Sequence, residues 1–399
     1  MMNRFLSADY IFTGDSPIPI TNACVEVSEE GEIIALRRID DLPQGVDIEK
    51  FAGAITPGFV NAHCHVELSG MQGKFRKGTG MAGFIDQINE LRNTLTVDEK
   101  KKCIKHWMDK MWERGVSAMA DISNGPDSFA IKAETPMYTR TFLEVFGTEP
   151  EDCDAVMEGV RALEKQAKSI GIDAAPTPHS CYTMSPLLLT ASSRAGLESG
   201  YLSFHSEESV EEEEMLISGS GPMYENRVRA GMSLPPVTGE SSLKYFIDRL
   251  LEVHPAPFTE NILLVHEVCM TEEGVDAVNK VMLHPFVALC PCSNIFIHNA
   301  LPPVMMMREK GVKLTVGTDS LSSNDDLDMV RELFCLQENF TDIPLGEMIM
   351  WATFNGAEFL GKGDVYGKIA PGMKPGLVHI SGLDSKGLLT VASVSKRII

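Results

Sequence analysis

Short apolar runs alternate with amphipathic stretches along most of the chain. The amphipathic stretches 98–114 and 151–170 have apolar residues at helical spacing, and each is followed by a glycine at the C-cap position, Gly115 and Gly171. This alternation predicts repeated βα units. The strand candidates are 54–63, 116–122, 138–146, 172–178, 201–205, 261–266, 286–290 and 312–318. Their number is that of a parallel βα barrel.

Both ends of the chain have a different pattern. The apolar runs 23–27 and 33–36 flank the polar segment 28–32, which is typical of a β-hairpin, and the tail from about 364 again predicts short strands and turns. We therefore predict an α/β protein with a (β/α)8 TIM-like barrel over 54–363. Residues 1–53 and 364–399 would together form a small β-sandwich domain.

Composition narrows the range of partners. Hydrophobic residues make up 44% of the 399 residues and charged residues 23%, as in an ordinary globular protein. The formal net charge of −21 disfavours nucleic acid and anionic membrane as partners and favours a small neutral or cationic ligand. The odd count of nine cysteines, with no apolar leader or membrane-length run, predicts reduced thiols and a cytoplasmic protein.

Metal-ligand residue types stand where apolar strands end. His63 and His65 are two positions apart, so both imidazoles face the same way on an extended strand. His205 ends a later strand, and Asp319 follows the last one. Because strand ends converge on one face of a barrel, these four residues predict a catalytic site for one divalent metal ion with an open position for water. The barrel over 54–363 is then expected to be a metallohydrolase barrel and the catalytic domain. Zinc, iron and manganese all accept imidazole and carboxylate ligands, and we expect zinc.

Three further polar residues stand near the same strand ends. Glu208 lies three residues beyond His205, where a proton shuttle is needed, although its acidic neighbours would also suit the exposed start of a helix. His266 could hydrogen-bond the attacking water or the developing oxyanion. His179 would line the same opening or serve as a packed polar residue, and the sequence leaves both interpretations open.

Together these motifs resemble those of a known family. They are Pro57-Gly58-Phe59-Val60-Asn61-Ala62-His63-Cys64-His65, His205-x-x-Glu208, His266, Cys290-Pro291-Cys292-Ser293-Asn294 and Gly317-Thr318-Asp319-Ser320-Leu321-Ser322-Ser323-Asn324. The chain resembles the amidohydrolase superfamily in its branch of cytosine, guanine, adenosine-type and triazine aminohydrolases. The resemblance covers nearly the whole chain.

This resemblance implies a hydrolase, a deaminase, that acts on carbon–nitrogen bonds other than peptide bonds in cyclic amidines. It assigns catalytic roles to Glu208, His266 and Asp319. Glu208 would protonate a ring nitrogen, and Asp319 would take the proton of the nucleophilic water and deliver it to departing ammonia. His266 would stabilise the tetrahedral intermediate.

The substrate expectation rests on finer similarity. Stretches 66–70, 78–84 and 294–303 are most similar to aminodeoxyfutalosine deaminases and their relatives, which favours an adenine-type nucleoside such as an aminodeoxyfutalosine- or adenosine-like compound. Many relatives carry Arg at the position of Cys292, which puts an anionic substituent in doubt. We expect substrate contacts from Glu67, Phe84, His179 and Ser322, with Phe84 equally suited to a helix core.

Two alternatives remain open from the sequence. A metallohydrolase of the same family could act on another C–N or a C–Cl bond, as triazine hydrolases and chlorohydrolases do, and ammonia or halide release would separate the two. A barrel without catalysis, serving as a binding module, is the third interpretation. The family's frequent homodimers make self-association a further expectation, although no surface stripe in the sequence supports it.

Overall fold

The structure is a computed structural model that describes residues 3–399. Its strands are β1 (Arg4–Ile11), β2 (Ala23–Val27), β3 (Ile33–Arg38), β4 (Glu49–Pro57), β5 (Phe59–Cys64), β6 (Val116–Ser123), β7 (Tyr138–Val145), β8 (Asp173–Pro178), β9 (Tyr201–Ser206), β10 (Asn261–His266), β11 (Pro285–Leu289), β12 (Lys313–Val316), β13 (Leu377–Ser381) and β14 (Val394–Arg397). Its α-helices are α1 (Gly80–Leu91), α2 (Val97–Glu113), α3 (Phe129–Glu134), α4 (Cys153–Ser169), α5 (Pro186–Glu198), α6 (Val210–Ser218), α7 (Gly221–Ala230), α8 (Ser242–Val253), α9 (Glu272–Val281), α10 (Pro291–His298), α11 (Val304–Glu309), α12 (Met329–Asn339), α13 (Leu345–Met350) and α14 (Gly356–Phe359).

The strands form three sheets. Both ends of the chain contribute to a six-stranded sheet in the order β14-β13-β4-β1-β2-β3. The other two sheets are four-stranded and parallel, in the orders β5-β6-β7-β8 and β12-β11-β10-β9. Most of the connections between the parallel strands contain helices, as the alternating pattern predicts.

The predicted strand over 54–63 is divided in two. β4 ends at Pro57 in the terminal sheet, and β5 begins at Phe59 in a parallel sheet. Gly58 joins them where the chain passes tightly against neighbouring segments, because a Cβ at this position would overlap Ser117 Oγ and the carbonyl oxygen of Pro375. The continuous apolar run concealed this change of sheet, since both halves are buried.

The parallel strands are buried on both faces. In β5, Phe59 packs in the large apolar cluster shared with the helices, whereas Val60 packs in a smaller cluster with Ala120 and Leu263 of other parallel strands. Alternate residues therefore face the helices and the space between the two sheets. Burial on both faces explains why the sequences of these strands are nearly continuous apolar runs.

Hydrogen bonds join the two parallel sheets at both of their outer edges. At one edge, His205 N–H donates to the carbonyl oxygen of His179 at 2.9 Å. At the other, the N–H groups of Thr318 and Asp319 donate to the carbonyl oxygen of His63 at 3.0 and 3.1 Å. At each edge, the hydrogen bonds involve predicted site residues that end a strand or follow one. In the part of the chain that is described, no helix is both long and apolar enough to cross a membrane.

Candidate active site

Three imidazoles and one carboxylate converge at the ends of the parallel strands. The Nε2 atom of His65 lies 3.1 Å from that of His63 and 3.3 Å from that of His205. Asp319 Oδ1 lies 3.8 Å from His63 Nε2 and 3.6 Å from His65 Nε2. The four residues predicted as metal ligands are therefore brought together in space.

The chemistry of these four side chains fits a divalent cation. Burial lowers the pKa values of His63 and His205 well below the ordinary value, and neighbouring histidines lower them further, so both rings are neutral. The Nε2 atom of His65 lies within 3.6 Å of a ligand atom of each of the other three residues. Neutral imidazole nitrogens and a carboxylate oxygen are ligands that a divalent cation takes. Within residues 3–399, three groups of three side chains have ligand atoms within 4.8 Å of one another, and they are His63–His65–Asp319, His63–His205–His266 and Glu144–His179–His205. The four predicted ligands are thus divided between the first two groups, which share His63.

A glycine allows the last strand to approach His63 closely. A Cβ at Gly317 would lie 2.7 Å from the carbonyl oxygen of His63 and 2.8 Å from its Cβ. Because real side chains do not tolerate such distances, only glycine allows Thr318 and Asp319 to bond to His63 here. The side chain of Asn61 supports the same edge, since its Nδ2 donates to Thr318 Oγ1 at 2.8 Å.

Backbone strain is concentrated at these strand ends. Four residues here have positive φ values, which residues other than glycine rarely adopt. They are Glu207 (47°), His266 (78°), Glu267 (54°) and Asp319 (53°). Each strained residue costs of order 1–3 kcal/mol and persists only when the surrounding structure enforces it. Their clustering beside the imidazoles marks this end of the sheets as a functional site.

Asp319 is held as a carboxylate. Its Oδ2 accepts hydrogen bonds from Ser293 Oγ at 2.6 Å and Ser323 Oγ at 2.7 Å. Burial disfavours its ionisation, but the adjacent imidazoles of His65 and His266 and the two hydroxyls outweigh burial and lower the pKa of Asp319. Asp319 is therefore ready to accept a proton.

Glu208 has the opposite electrostatic character. Burial and the negative charges of Asp319 and Glu212 raise the pKa of Glu208 well above its ordinary value, so it holds a proton. Its Oε1 lies 3.5 Å from His266 Nε2. Two carboxyl groups with pKa values moved apart in one site are suited to separate acid and base roles.

His266 is oriented by an amide. Asn294 Nδ2 donates to His266 Nδ1 at 3.1 Å, which leaves Nε2 as the protonated ring nitrogen on the side of Glu208. Burial lowers the pKa of His266 to about 4, so the ring is neutral and offers one donor to a reacting oxygen. The motif 290–294 thus supplies two hydrogen-bond donors. Ser293 donates to Asp319, and Asn294 donates to His266.

A cavity of about 570 Å³ opens over these groups. Apart from His63, which lies behind its wall, every predicted site residue lines it. The catalytic and metal-ligand candidates along it are His65, His205, Glu208, His266 and Asp319, and the substrate-contact candidates are Glu67, Phe84, His179 and Ser322. Burial raises the pKa of Glu67 to about 7, while its Oε2 accepts the N–H of Asn124 at 2.9 Å.

Sequence reasoning missed Glu144. This residue lies near the end of β7, lines the cavity, and places Oε1 3.5 Å from His205 Nδ1 and 3.7 Å from His179 Nε2. The hydrogen-bond partner of His205 Nδ1 is the carbonyl oxygen of His179 at 3.3 Å, which fixes the tautomer of the ring, and Glu144 adds a negative charge beside it. The signal that identified the histidines, a polar residue at a strand end, was also present at Glu144, within Leu143-Glu144-Val145.

Cys292 does not line the cavity. Its N–H donates to Glu332 Oε2 at 3.0 Å, and its Sγ lies 3.7 Å from the carbonyl oxygen of Arg331, so the side chain faces α12. The identity of this residue therefore gives no direct information about which substituents the cavity accepts.

With this geometry established, comparisons place the chain among known proteins. It matches the Amidohydrolase family over residues 54–397. The chain belongs to the amidohydrolase family. A 5-methylthioadenosine/S-adenosylhomocysteine deaminase of Halobacterium salinarum is 28% identical over 348 residues, which make up 84% of this chain and 74% of that protein.

Solved structures share this amidohydrolase fold. Helicobacter pylori aminofutalosine deaminase in complex with methylthio-coformycin matches with a TM-score of 0.81 and 21% identity, over 99% of this chain and 100% of that one. An adenosine deaminase from Xanthomonas campestris with bound zinc matches with a TM-score of 0.72 and 18% identity, over 95% of this chain and 84% of that one. The chain therefore has an α/β fold of the TIM-barrel type. The amidohydrolase family is metal-dependent, and this member has a histidine-rich candidate site.

Proposed function

We propose that this amidohydrolase is a metal-dependent aminohydrolase that removes ammonia from an adenine-type nucleoside. The observation that carries the proposal is that Glu208, whose pKa is raised, and Asp319, whose pKa is lowered, line one cavity with three imidazoles. Hydrolytic deamination of a purine needs such a pair, since one group must donate a proton to the ring while another accepts one from water. The named relatives are deaminases of adenine-type compounds, which supports the same class of substrate.

Glu208 would supply the proton to the purine. Its raised pKa favours the protonated acid, and protonation of the ring nitrogen next to the amino-bearing carbon makes that carbon electrophilic. Asp319 would take the proton of the attacking water and return it to the leaving amino group. His266, held by Asn294, would donate from Nε2 to the oxygen as negative charge develops there.

Four residues would hold the metal ion. They are His63, His65, His205 and Asp319, with Glu144 positioned behind His205. A divalent cation bound there supplies Lewis acidity, which makes a water molecule nucleophilic at neutral pH. Zinc is our preferred metal, with iron and manganese as alternatives.

Substrate recognition would use the remaining cavity residues. Glu67 would bind hydroxyl or amino groups, and Phe84 would stack on a flat ring. His179 and Ser322 would complete the contacts. All four line the same cavity as Glu208, which is the support for assigning them to substrate.

We also infer the domain arrangement. The hydrogen bonds at both edges of the parallel sheets support a closed (β/α)8 barrel over 54–363, with Glu208 and Asp319 at its strand ends. The small β-sandwich domain of 1–53 and 364–399 stays a proposal, and the six-stranded sheet to which both ends of the chain contribute supports it. In this arrangement β4 spans the boundary at residue 54 and feeds directly into the first barrel strand.

Ammonia release provides the test. The purified protein, with its metal content determined, is incubated with adenosine, 5′-methylthioadenosine, guanine, cytosine, a pterin and an aminotriazine. We expect ammonia from an adenine nucleoside and about one metal ion per chain. A chlorotriazine assayed for chloride in parallel distinguishes the alternative leaving group.

The outcomes separate the candidate functions. Chloride release without ammonia from any amine would replace the deaminase by a halide-releasing hydrolase. No reaction in a protein that contains metal would overturn the nucleoside assignment, and failure to bind zinc, iron or manganese would overturn the metal site itself.

A further inference from the structure

Two of the cysteines lie in contact with each other on neighbouring helices. Cys292 is the second residue of α10 and Cys335 lies on α12, and the two thiols are hydrogen-bonded to each other. Cys292 Sγ also lies 3.7 Å from the carbonyl oxygen of Arg331, which precedes Cys335 by one turn on the same face of α12. Both cysteines are free and partly exposed. Two free thiols in contact are arranged for conversion into a disulfide.

The two thiols differ in reactivity. The hydrogen bond that Cys292 donates to Cys335 outweighs burial and the charge of Glu338 and lowers the pKa of the Cys335 thiol. The same contact, together with burial and the charge of Glu332, raises the pKa of Cys292. Asn339 Nδ2 also donates to Cys335 Sγ at 3.9 Å, which further favours a thiolate there. Cys335 is therefore the nucleophile of the pair, and Cys292 is its resolving partner.

Cys292 is followed directly by two residues that position groups of the candidate active site. Ser293 Oγ donates to Asp319 Oδ2 at 2.6 Å, and Asn294 Nδ2 donates to His266 Nδ1 at 3.1 Å. Both hydrogen bonds require the first turn of α10 to keep its place. A displacement of the Cys292 backbone would therefore move both donors relative to the groups that they hold.

Formation of a disulfide would displace this turn. An S–S bond is about 2.05 Å long, shorter than any contact between two thiols that are not bonded, so the two sulfur atoms must approach each other. The approach draws Cys292 toward α12 and disturbs the hydrogen bond from its N–H to Glu332 Oε2, which is 3.0 Å long. Glu332 Oε1 also accepts from Asn324 Nδ2 at 2.7 Å, and Asn324 lies in the loop after Asp319. The displacement would thus reach the site through two segments of the chain.

We propose that Cys292 and Cys335 form a redox-sensitive pair whose oxidation to a disulfide slows the reaction at the strand ends. Oxidised glutathione, a disulfide oxidant, balances the chemistry. The Cys335 thiolate attacks one sulfur of the oxidant and releases one glutathione, and Cys292 loses its proton and displaces the second glutathione from the mixed disulfide. The protein loses two electrons and two protons, and one glutathione disulfide becomes two glutathione thiols. Only the slowing of the reaction rests on the proposed function.

Disulfide formation is tested without any assay of activity. The metal-loaded wild type is treated with oxidised glutathione, quenched with an alkylating maleimide, digested and analysed by mass spectrometry. We expect a cross-linked peptide pair that contains Cys292 and Cys335, and its loss on reduction with tris(2-carboxyethyl)phosphine.

The single variants test the separate roles of the two thiols. Cys292→Ser should stop at a mixed disulfide between Cys335 and one glutathione, because no resolving thiol remains. Cys335→Ser should leave Cys292 unmodified, since burial and Glu332 keep that thiol protonated.

Ammonia release is then compared before and after oxidation, with a nucleoside that the wild type deaminates. We expect kcat to fall about tenfold to a hundredfold on oxidation and to return on reduction, with metal content unchanged, because small displacements of positioned groups have effects of this size. Cys335→Ser should start at the wild-type rate and lose less than about twofold on the same treatment. Cys103→Ser is the matched control, since Cys103 on α2 is also free and partly exposed, and it should respond as the wild type does.

The outcomes separate the redox pair from the proposed function. A wild type in which Cys292 and Cys335 stay unlinked after treatment would overturn the pair, whatever its activity. A cross-linked protein with unchanged ammonia release would overturn the slowing, and a loss of activity that persists in Cys335→Ser would assign the slowing to another thiol. A protein that forms the cross-link but deaminates no compound would overturn the proposed function and leave the redox pair standing.

Discussion

Glu208 is the side chain whose protonation state matters most to the proposed reaction. We predict that Glu208→Gln lowers kcat by about a hundredfold to ten-thousandfold, because glutamine keeps the shape and cannot deliver a proton to the ring. Metal content should stay at the wild-type level, since Glu208 is not among the four proposed ligands. Ammonia release measures kcat, and metal analysis of the same preparation measures the metal content.

The control for this variant is Glu214→Gln on α6, the helix that follows the loop of Glu208, where the side chain is exposed. It should be as active as the wild type. Turnover of Glu208→Gln within about threefold of the wild type would remove Glu208 from the proton path.

Sequence pattern identified most of the candidate site at the level of residues. The period of two on a strand was enough to pair His63 with His65, and the rule that polar residues at strand ends converge brought in His205 and Asp319. The pattern gave no sign that residues of α7, such as Arg227, would line the cavity, because the placement of that helix depends on packing with α1 and α6. Contacts between distant elements have no local signature in the chain.

At the level of elements, the bounds of the parallel strands lie close to those of the apolar runs that predicted them, with one exception. The predicted strand over 54–63 passes from one sheet to another at Gly58, and the apolar pattern does not change there. Hydrophobicity reports burial, whereas the partner of a strand depends on backbone geometry. The close packing of Ser117 against Gly58 is a tertiary feature that the pattern could not reveal.

A buried ion pair connects three elements behind His65. Lys132 on α3 lies with its Nζ 2.5 Å from Asp121 Oδ2 on β6, and both side chains are wholly buried. The same Nζ donates to Ser123 Oγ at 2.9 Å and to Thr141 Oγ1 at 3.0 Å. Asp121 Oδ1 accepts the N–H of Val66, the residue after His65, at 2.9 Å. The pair therefore anchors the backbone that carries a proposed metal ligand.

Breaking this pair should be costly, and removing both charges should not. We predict that Lys132→Met alone lowers the free energy of unfolding by about 3–5 kcal/mol, because Asp121 stays buried and unpaired. The double variant Asp121→Asn with Lys132→Met should recover most of the loss, since the amide oxygen of asparagine can still accept from Val66. Urea unfolding of the metal-loaded proteins measures both values. A double variant no more stable than Lys132→Met would contradict this assignment of the energy.

At the level of the whole molecule, Arg397 on β14 ties the terminal sheet to the parallel sheets. Its guanidinium lies 3.6 Å from the ring centroid of Trp112 and donates to the carbonyl oxygens of Trp112 at 2.9 Å and Val116 at 3.0 Å. We predict that Arg397→Ala lowers the free energy of unfolding by about 2–4 kcal/mol, because it removes the guanidinium donors to both carbonyl groups and removes the stacking, although Gly115 N–H still donates to the carbonyl oxygen of Trp112. The exposed neighbour Lys396→Ala should cost less than about 0.5 kcal/mol in the same urea titration. Equal midpoints for the two variants would mean that Arg397 does not hold the sheets together.

A cluster of buried carboxyl groups lies behind the strand ends. Burial, followed by the charges of Glu207, Glu212 and Glu213, raises the pKa of Glu267 well above its ordinary value of 4.5. The native state therefore keeps a proton on Glu267 at pH values where the unfolded chain has lost it. Because the native state then binds more protons, stability falls as pH rises above about 4.5, by up to about 1.4 kcal/mol for each pH unit.

Substituting the amide for this acid should remove that dependence. Glu267→Gln resembles the protonated acid at every pH, so its stability relative to the wild type should increase steadily from pH 5 to pH 8. The exposed variant Glu273→Gln should show no such trend. Urea midpoints at each pH, with equal metal loading, give the difference between two proteins, in which the pH dependence of metal binding cancels. A difference that stays flat with pH would mean that Glu267 is ionised in the folded protein, and its charge would then need a bound cation to balance it.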